Sequence, residues 1–301
     1  MVKAPPTPKG FRDIKPEMAK IRRETINKIV SVLEEYGFVP IETPTIEFAD
    51  TLKGKYGEEE KLIYEFTDRG GRKLALRYDL TVPLARYVAT YNPPLPFRRY
   101  QIGQVFRGEN PQKGRFREFT QFDFDTVGSN DPLEDAKVLA VAIMCMRKLG
   151  LNDAIMVVND RANFADFPPS VVRAIDKINK IGEKGVIKEL TDGGMQEAEA
   201  KEAVYKIRAQ KPTQNLEEII KNLRELSLEE GVDFVYDPTL ARGLDYYTGA
   251  IFELKVDQDP TSLSVGGGGR YDNLIGSFAK KDIPAVGFSF GLDRLLEILY
   301  P

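Results

Sequence analysis

The chain predicts an α+β fold built around a mainly antiparallel sheet. Alternating apolar and polar runs come in adjacent pairs, YQIGQVFR followed by FTQFDFDTV and KLIYEFTD followed by RKLALRYD, which is the pattern of hairpins. Helical stretches stand between these pairs without the strict strand–helix alternation of a parallel sheet. A stretch from about residue 161 to 230 is rich in lysine and glutamate and lacks the aromatic strand pattern. It reads as an inserted helical module, leaving 1–160 and 231–301 as one domain.

In order, residues 17–36 form an amphipathic helix, with Ile21, Ile26, Ile29, Val30 and Leu33 near helical spacing and Gly37 as its stop. GFVPIETPTIEF is a strand broken by Pro40 and Pro44. The next hairpin turns at Gly70–Gly71, and LTVPLARYVATY is a helix with Thr81 at its cap. A hairpin around residues 100–127 precedes an apolar helix over 133–149 that ends at Gly150, then the buried strand AIMVVND. After the module, strands return at GVDFVYD, DYYTGAIFELKV and LSVGGGG, and AVGFSF leads into the helix GLDRLLEIL.

Composition narrows the chemistry. With 301 residues, 42% hydrophobic and 30% charged, the chain has ample length for a core. A net charge of −3 advertises no broad face for nucleic acid. The single cysteine, Cys145, sits in VLAVAIMCM and excludes an intrachain disulfide. That run is about half the ~20 apolar residues a membrane span needs, and the proline-rich start is not a signal peptide. These features point to a cytoplasmic protein with no membrane partner. There is no histidine, which removes serine–histidine and cysteine–histidine hydrolysis and makes a protein-held zinc site implausible. Arginines, carboxylates, tyrosines and backbone amides remain. They suit phosphoryl or nucleotidyl transfer, where positioning and charge stabilisation do most of the work.

Five segments carry that inventory. RGENPQKGRFREFTQFDFD, Arg107 to Asp125, joins two strands through a loop with Arg107, Lys113, Arg115 and Arg117, enough positive charge for a polyphosphate. In its outgoing strand Phe119, Gln121, Asp123 and Asp125 share one face, while Phe122 and Phe124 take the other. ARGLDYYTG places Arg242 at a strand mouth with Tyr246 and Tyr247 just inside, facing opposite ways. The run Gly266–Gly269 is either a flexible loop or a floor on which a ligand lies against backbone. GFSFGLDRLLEIL delivers Arg294 from the first turn of a helix, where anions are favoured. Asp79 and Thr81, at a strand-to-helix junction, either grip an ammonium group or cap the helix.

Together these segments resemble the class II aminoacyl-tRNA synthetases and, within them, the histidyl-tRNA synthetase family. GFVPIETPTIE, FRGENPQKGRFREFTQFDFD and GFSFGLDRLLEIL are similar to the three class motifs. RGLDYYTG and GGGGRYD are similar to the two segments that distinguish histidyl enzymes. The resemblance implies a six- or seven-stranded antiparallel sheet flanked by helices. It implies a two-step reaction in which histidine and ATP, with Mg2+, give histidyl-adenylate, and the histidyl group passes to the acceptor end of a tRNA. It gives Arg107 the α-phosphate and carboxylate, Glu109 the adenine amino group, and Arg115 a further ATP contact. Phe119 and Arg294 would sandwich the adenine, and Arg242 would be a catalytic arginine that also meets histidine. Asp79, Thr81 and Gln121 would hold the α-amino group, Asp125 and Tyr247 would read the imidazole from its two nitrogens, and Tyr246 is counted among the histidine-binding residues. No protein side chains are assigned to a metal. A homodimer through the N-terminal helix and the following strand is also implied.

Family members continue past the third motif into an anticodon-binding domain, whereas this chain ends at Pro301. That makes it either a catalytic fragment or a short paralog. The main alternative is the histidine-sensing regulatory subunit of ATP phosphoribosyltransferase, which shares the fold and lacks that domain. Arg107, Glu109, Arg242 and Arg294 weigh against it, because a sensor has no need of them.

Overall fold

The computed structural model describes residues 5–111, 116–241, 246–257, 259, 262 and 264–300. Helix α1 (Pro16–Glu35) begins with proline, whose missing N–H costs nothing there, and buries Ile29, Val32 and Leu33. It ends at Tyr36, and Gly37 follows at φ 79°, a conformation that favours glycine. The two prolines split the next stretch into β1 (Val39–Pro40) and β2 (Ile46–Phe48), followed by the short α2 (Ala49–Leu52). Strands β3 (Glu65–Thr67) and β4 (Lys73–Leu76) form the expected hairpin and, with β2, a three-stranded sheet.

Helix α3 (Thr81–Tyr91) corrects the expected cap. Thr81 is its first residue, and the side chain of Asp79 accepts from the Val82 N–H at 3.0 Å. Strands β5 (Phe97–Phe106) and β6 (Glu118–Val127) pair over ten residues, and α4 (Pro132–Lys148) follows, capped by the Asp131 carboxylate. Strand β7 (Ile155–Asp160) leads into α5 (Pro169–Ile175), α6 (Ile178–Asp192, kinked at Gly182), α7 (Glu197–Arg208) and α8 (Gln214–Glu225). The chain closes through β8 (Phe234–Tyr236), β9 (Ala250–Lys255), β10 (Ser264–Arg270), β11 (Ala285–Gly291) and α9 (Leu292–Leu299).

The large sheet has the order β1-β5-β6-β11-β10-β9-β7-β8. The six inner strands are antiparallel throughout, and a short parallel strand completes each edge. One face carries Phe122, Phe124, Phe252, Phe288 and Phe290 into the main core beneath α1, α4, α8 and α9. Helix α8 falls inside the stretch read as a module, yet its Leu216, Ile219, Ile220 and Leu223 belong to this main core. Helices α5 to α7 instead pack in a second cluster, where Val171, Ile175, Val186, Val204 and Ile207 meet Val157 of β7 and Ile251 of β9. Packing therefore sets the module's edge before α8. The sequence hid this because the exposed face of α8 is as charged as those of its neighbours.

The glycine run is the centre of a strand, not a loop. Phe288 and Phe290 of β11 pair with Gly268 and Gly266. A Cβ at Gly266 would stand 2.6 Å from the Phe288 ring, and one at Gly268 would stand 2.8 Å from the Phe288 Cα. Two of the four glycines thus make room for core aromatics, a role separate from any ligand. Gly268→Ala is expected to lower stability by ~1–3 kcal/mol, because the clash is with backbone that cannot rotate away. Chemical denaturation checks this, and wild-type stability would remove the close-approach argument.

Candidate active site

A cleft of about 550 Å³ opens on the sheet face opposite the aromatic core. The strand alternation that buries Phe122 and Phe124 turns Phe119, Gln121, Asp123 and Asp125 into the cleft, and β10 and β11 supply Gly266–Gly268, Gly287 and Ser289. The cleft is also lined by Asp79, Thr81, Arg107, Glu109, Tyr246, Tyr247 and Arg294. Ten of the predicted residues, from five separate segments, therefore meet around one space. Arg115 and Arg242 lie outside the described residues.

At one end the Arg107 guanidinium sits 4.3 Å from the Tyr78 ring and 5.1 Å from the Phe119 ring, and its Nε donates to the Tyr78 carbonyl at 3.3 Å. The planar cation is thereby held in place before any anion arrives. Nearby, Arg294 donates from Nη1 to the Ser264 carbonyl at 2.9 Å, and the Glu109 carbonyl accepts from Arg117 Nε at 2.8 Å. Asp293, one residue before Arg294, accepts from Arg12 at 2.6 Å, Arg22 at 2.7 Å and the Thr120 N–H at 2.7 Å. The N-terminal segment joins this end directly. The Gly10 carbonyl accepts from the Arg117 N–H at 2.9 Å, and the Arg12 guanidinium lies 3.7 Å from the Phe116 ring.

The other end is acidic and aromatic. Asp79 is buried and accepts from the Tyr56 hydroxyl at 3.0 Å and the Tyr246 hydroxyl at 3.4 Å. Burial pushes its carboxyl above the usual carboxylate range, against the helix N–H, Tyr56 and Arg107. Asp125 is raised by burial too, opposed by Arg99 and by the Tyr271 hydroxyl that donates to it. Arg99 is fully buried beneath the cleft, with Nη2 at 2.7 Å from Asp125 Oδ2. None of its nitrogens aims a hydrogen along a proper hydrogen-bond line, so charge rather than directional bonding holds the pair.

Tyr246 and Tyr247 both line the cleft, contrary to the expected opposition. The strand starts only at Ala250, so both precede it in a turn where alternation does not apply, with ring centroids 5.0 Å apart. Tyr247 lies over Gly269, where a Cβ would meet its ring at 2.8 Å.

Sequence reasoning placed Asp123 on the cleft face but gave it no role, and it gave none to Ser289, Tyr271, Arg99 or Asp293. FSF in the last strand puts Ser289 opposite its phenylalanines. Asp123 is 2% exposed, and burial, with Asp125 and Asp79 nearby, lifts its pKa to about 7 against the opposing charge of Arg99. The native state therefore binds its proton more tightly than the unfolded chain does. That contribution makes stability fall as pH rises from about 4 to about 7, and the cost is complete above that. Asp123→Asn is expected to raise stability at pH 8 by ~1–2 kcal/mol and to leave it little changed near pH 4. Urea unfolding at the two pH values checks this, and an equal effect at both would sink it.

The family model for histidyl-tRNA synthetase matches residues 10–176 and 169–295. The histidine–tRNA ligase of Aeropyrum pernix is 44% identical over 97% of this chain and 74% of its own length. That of Nanoarchaeum equitans is 43% identical over 97% and 73%. The crystal structure of histidyl-tRNA synthetase from Nostoc sp. PCC 7120 superposes with a TM-score of 0.83 at 30% identity, covering 98% of this chain and 75% of that one. A Bacillus halodurans structure described as an ATP phosphoribosyltransferase regulatory subunit/histidyl-tRNA synthetase shares the fold, with a TM-score of 0.81 at 22% identity, covering 100% and 85%.

Proposed function

Because the chain belongs to the histidyl-tRNA synthetase family, we propose that it activates histidine with ATP and transfers the histidyl group to tRNA. The observation that carries this reading is the polarity of one cleft, with arginines and Phe119 at one end and buried carboxylates with tyrosines at the other. An amino acid spans that polarity. Its ammonium group suits Asp79, Thr81 and the acceptor end of Gln121, and its carboxylate points towards Arg107. We assign Asp125 and Tyr247 to the two nitrogens of the imidazole, with Tyr246 beside them among the histidine-binding residues. A site that hydrogen-bonds both ring nitrogens rejects side chains that leave its polar groups unpaired.

Carboxylate attack on the α-phosphate builds negative charge around phosphorus as pyrophosphate leaves. Arg107, already fixed between two rings, stabilises that charge without reorganising. We assign Arg242 and Arg115 to the same end from the motif resemblance. Glu109, Phe119 and Arg294 are assigned to the adenine. Mg2+ enters this scheme on the triphosphate. Among the described residues no group of three or more Asp, Glu or Cys side chains is arranged to hold a metal. Asp293 is already taken by two arginines and a backbone N–H. Mg2+, where bound, would be held by the phosphate oxygens of ATP.

Helices α5 to α7, which pack together in the second cluster, are proposed as the module that meets the tRNA acceptor end. Three of their lysines, Lys177, Lys201 and Lys206, are paired with Glu189, Glu197 and Glu202. A homodimer through the β1–β2 region is supported by exposed Val39, Ile46 and Phe48. No helix among the described residues is long and apolar enough to cross a membrane.

The test is ATP–pyrophosphate exchange with each amino acid in turn. Exchange with histidine alone supports the enzyme. Histidine binding without exchange supports the regulatory-subunit reading instead.

A further inference from the structure

We propose that Asp123 and Ser289 are positioning residues that decide which end of the Gln121 amide faces the substrate's amino group. The inference rests on the histidine-binding reading of this cleft. Gln121 donates from Nε2 to Ser289 Oγ at 3.1 Å, and the Ser289 hydroxyl donates in turn to Asp123 Oδ1. Gln121 Oε1 is buried and has no partner. All three side chains line the cleft.

The direction of this chain follows from donor arithmetic. A hydroxyl carries one hydrogen, and an ionised carboxylate only accepts. With Asp123 charged, Ser289 must give its hydrogen to Asp123 and can only accept from Gln121. The amide must then offer its NH2 to Ser289, which leaves Oε1 as the acceptor on the ligand side. An ammonium group donates only, so this is the end it needs. An amide left to itself has no such preference, because its two ends are nearly the same shape.

Protonation of Asp123 reverses the chain. Its O–H then donates to Ser289, the serine hydrogen turns to Gln121, and the amide flips to present Nε2 to the ammonium group, donor against donor. Asp123 is surrounded by Gln121 and Asp125 on its own strand, Arg99 and Gln101 on β5, Ser289 on β11, and Asp79 with Arg77 ahead of α3. Two like charges and burial keep its proton close to neutral pH, and Arg99 and Arg77 oppose them. The relay is therefore set above about pH 7 and scrambled below it.

The experiment measures histidine KM and kcat in pyrophosphate exchange at pH 6 and pH 8 for wild type, Ser289→Ala, Asp123→Asn and the double variant. At pH 8 each single variant is expected to raise KM about tenfold, the worth of one oriented hydrogen bond to a charged group, with kcat far less affected. The double variant is expected to be no worse than either single one. The wild-type advantage over Ser289→Ala should shrink at pH 6, a comparison that cancels the titration of histidine itself. Thermal unfolding of Ser289→Ala near the wild-type midpoint certifies that the loss is local. Additive losses, a wild-type KM in Ser289→Ala at pH 8, or an advantage that does not change with pH would each overturn the relay. Calorimetric histidine binding separates the two layers. If wild type shows no exchange but binding still drops on Ser289→Ala, the enzymatic reading fails and the relay stands. If wild type binds no histidine, both fail.

Discussion

Arg107→Ala is expected to slow histidine-dependent pyrophosphate exchange by about a hundred- to a thousand-fold, or ~3–4 kcal/mol of transition-state stabilisation. The side chain is braced by the Tyr78 and Phe119 rings and by the Tyr78 carbonyl, so its charge is oriented before substrates bind. The loss should fall mainly on kcat, since the ammonium and imidazole ends of histidine meet other residues. Arg107→Lys is expected to recover little, because a lysine cannot stack between two rings or offer a planar fork. Exchange kinetics together with calorimetric histidine binding check this. A variant that keeps kcat and loses only histidine affinity would move Arg107 out of the chemical step.

Arg99→Met is expected to destabilise the fold by ~3–5 kcal/mol at pH 8. Arg99 pairs with Asp125 and is the leading opposing charge on Asp123, and without it two buried carboxylates would have only Arg77 to offset them. Both already have raised pKa values, so the deficit should shrink as pH falls through 7 and the acids take up protons. Urea denaturation at pH 8 and pH 5 measures it. A deficit that is the same at both would mean that lost packing, not uncompensated charge, is the cause.

Much of this cleft was legible in the sequence because strand alternation is a strong rule. Phe119, Gln121 and Asp125 on one face and Phe122 and Phe124 on the other follow from period two alone, and the structure keeps them there. Asp79 beside α3 also lay in plain view, although its carboxylate rather than the Thr81 hydroxyl caps the helix. What was not legible depends on pairing between distant strands. Arg99 reads as one more charge in FRRYQIG until β5 is set against β6 and it falls opposite Asp125. Gly266 and Gly268 read as ligand floor until β11 brings two phenylalanines across from them. Tyr246 and Tyr247 were misplaced because the strand begins at Ala250, and no local residue marks that boundary sharply. Helix α8 was grouped with α5 to α7 by composition, whereas its apolar stripe is claimed by the main core.

The link between Gly10 and Arg117, with Arg12 spanning Phe116 and Asp293, has a practical corollary. The amino-terminal stretch acts as a brace on the arginine end of the cleft, the end proposed to receive ATP. A purification handle or fusion partner attached ahead of it would be expected to disturb nucleotide affinity before it disturbs amino-acid affinity, and preparations that differ only in that leader should be compared with this in mind.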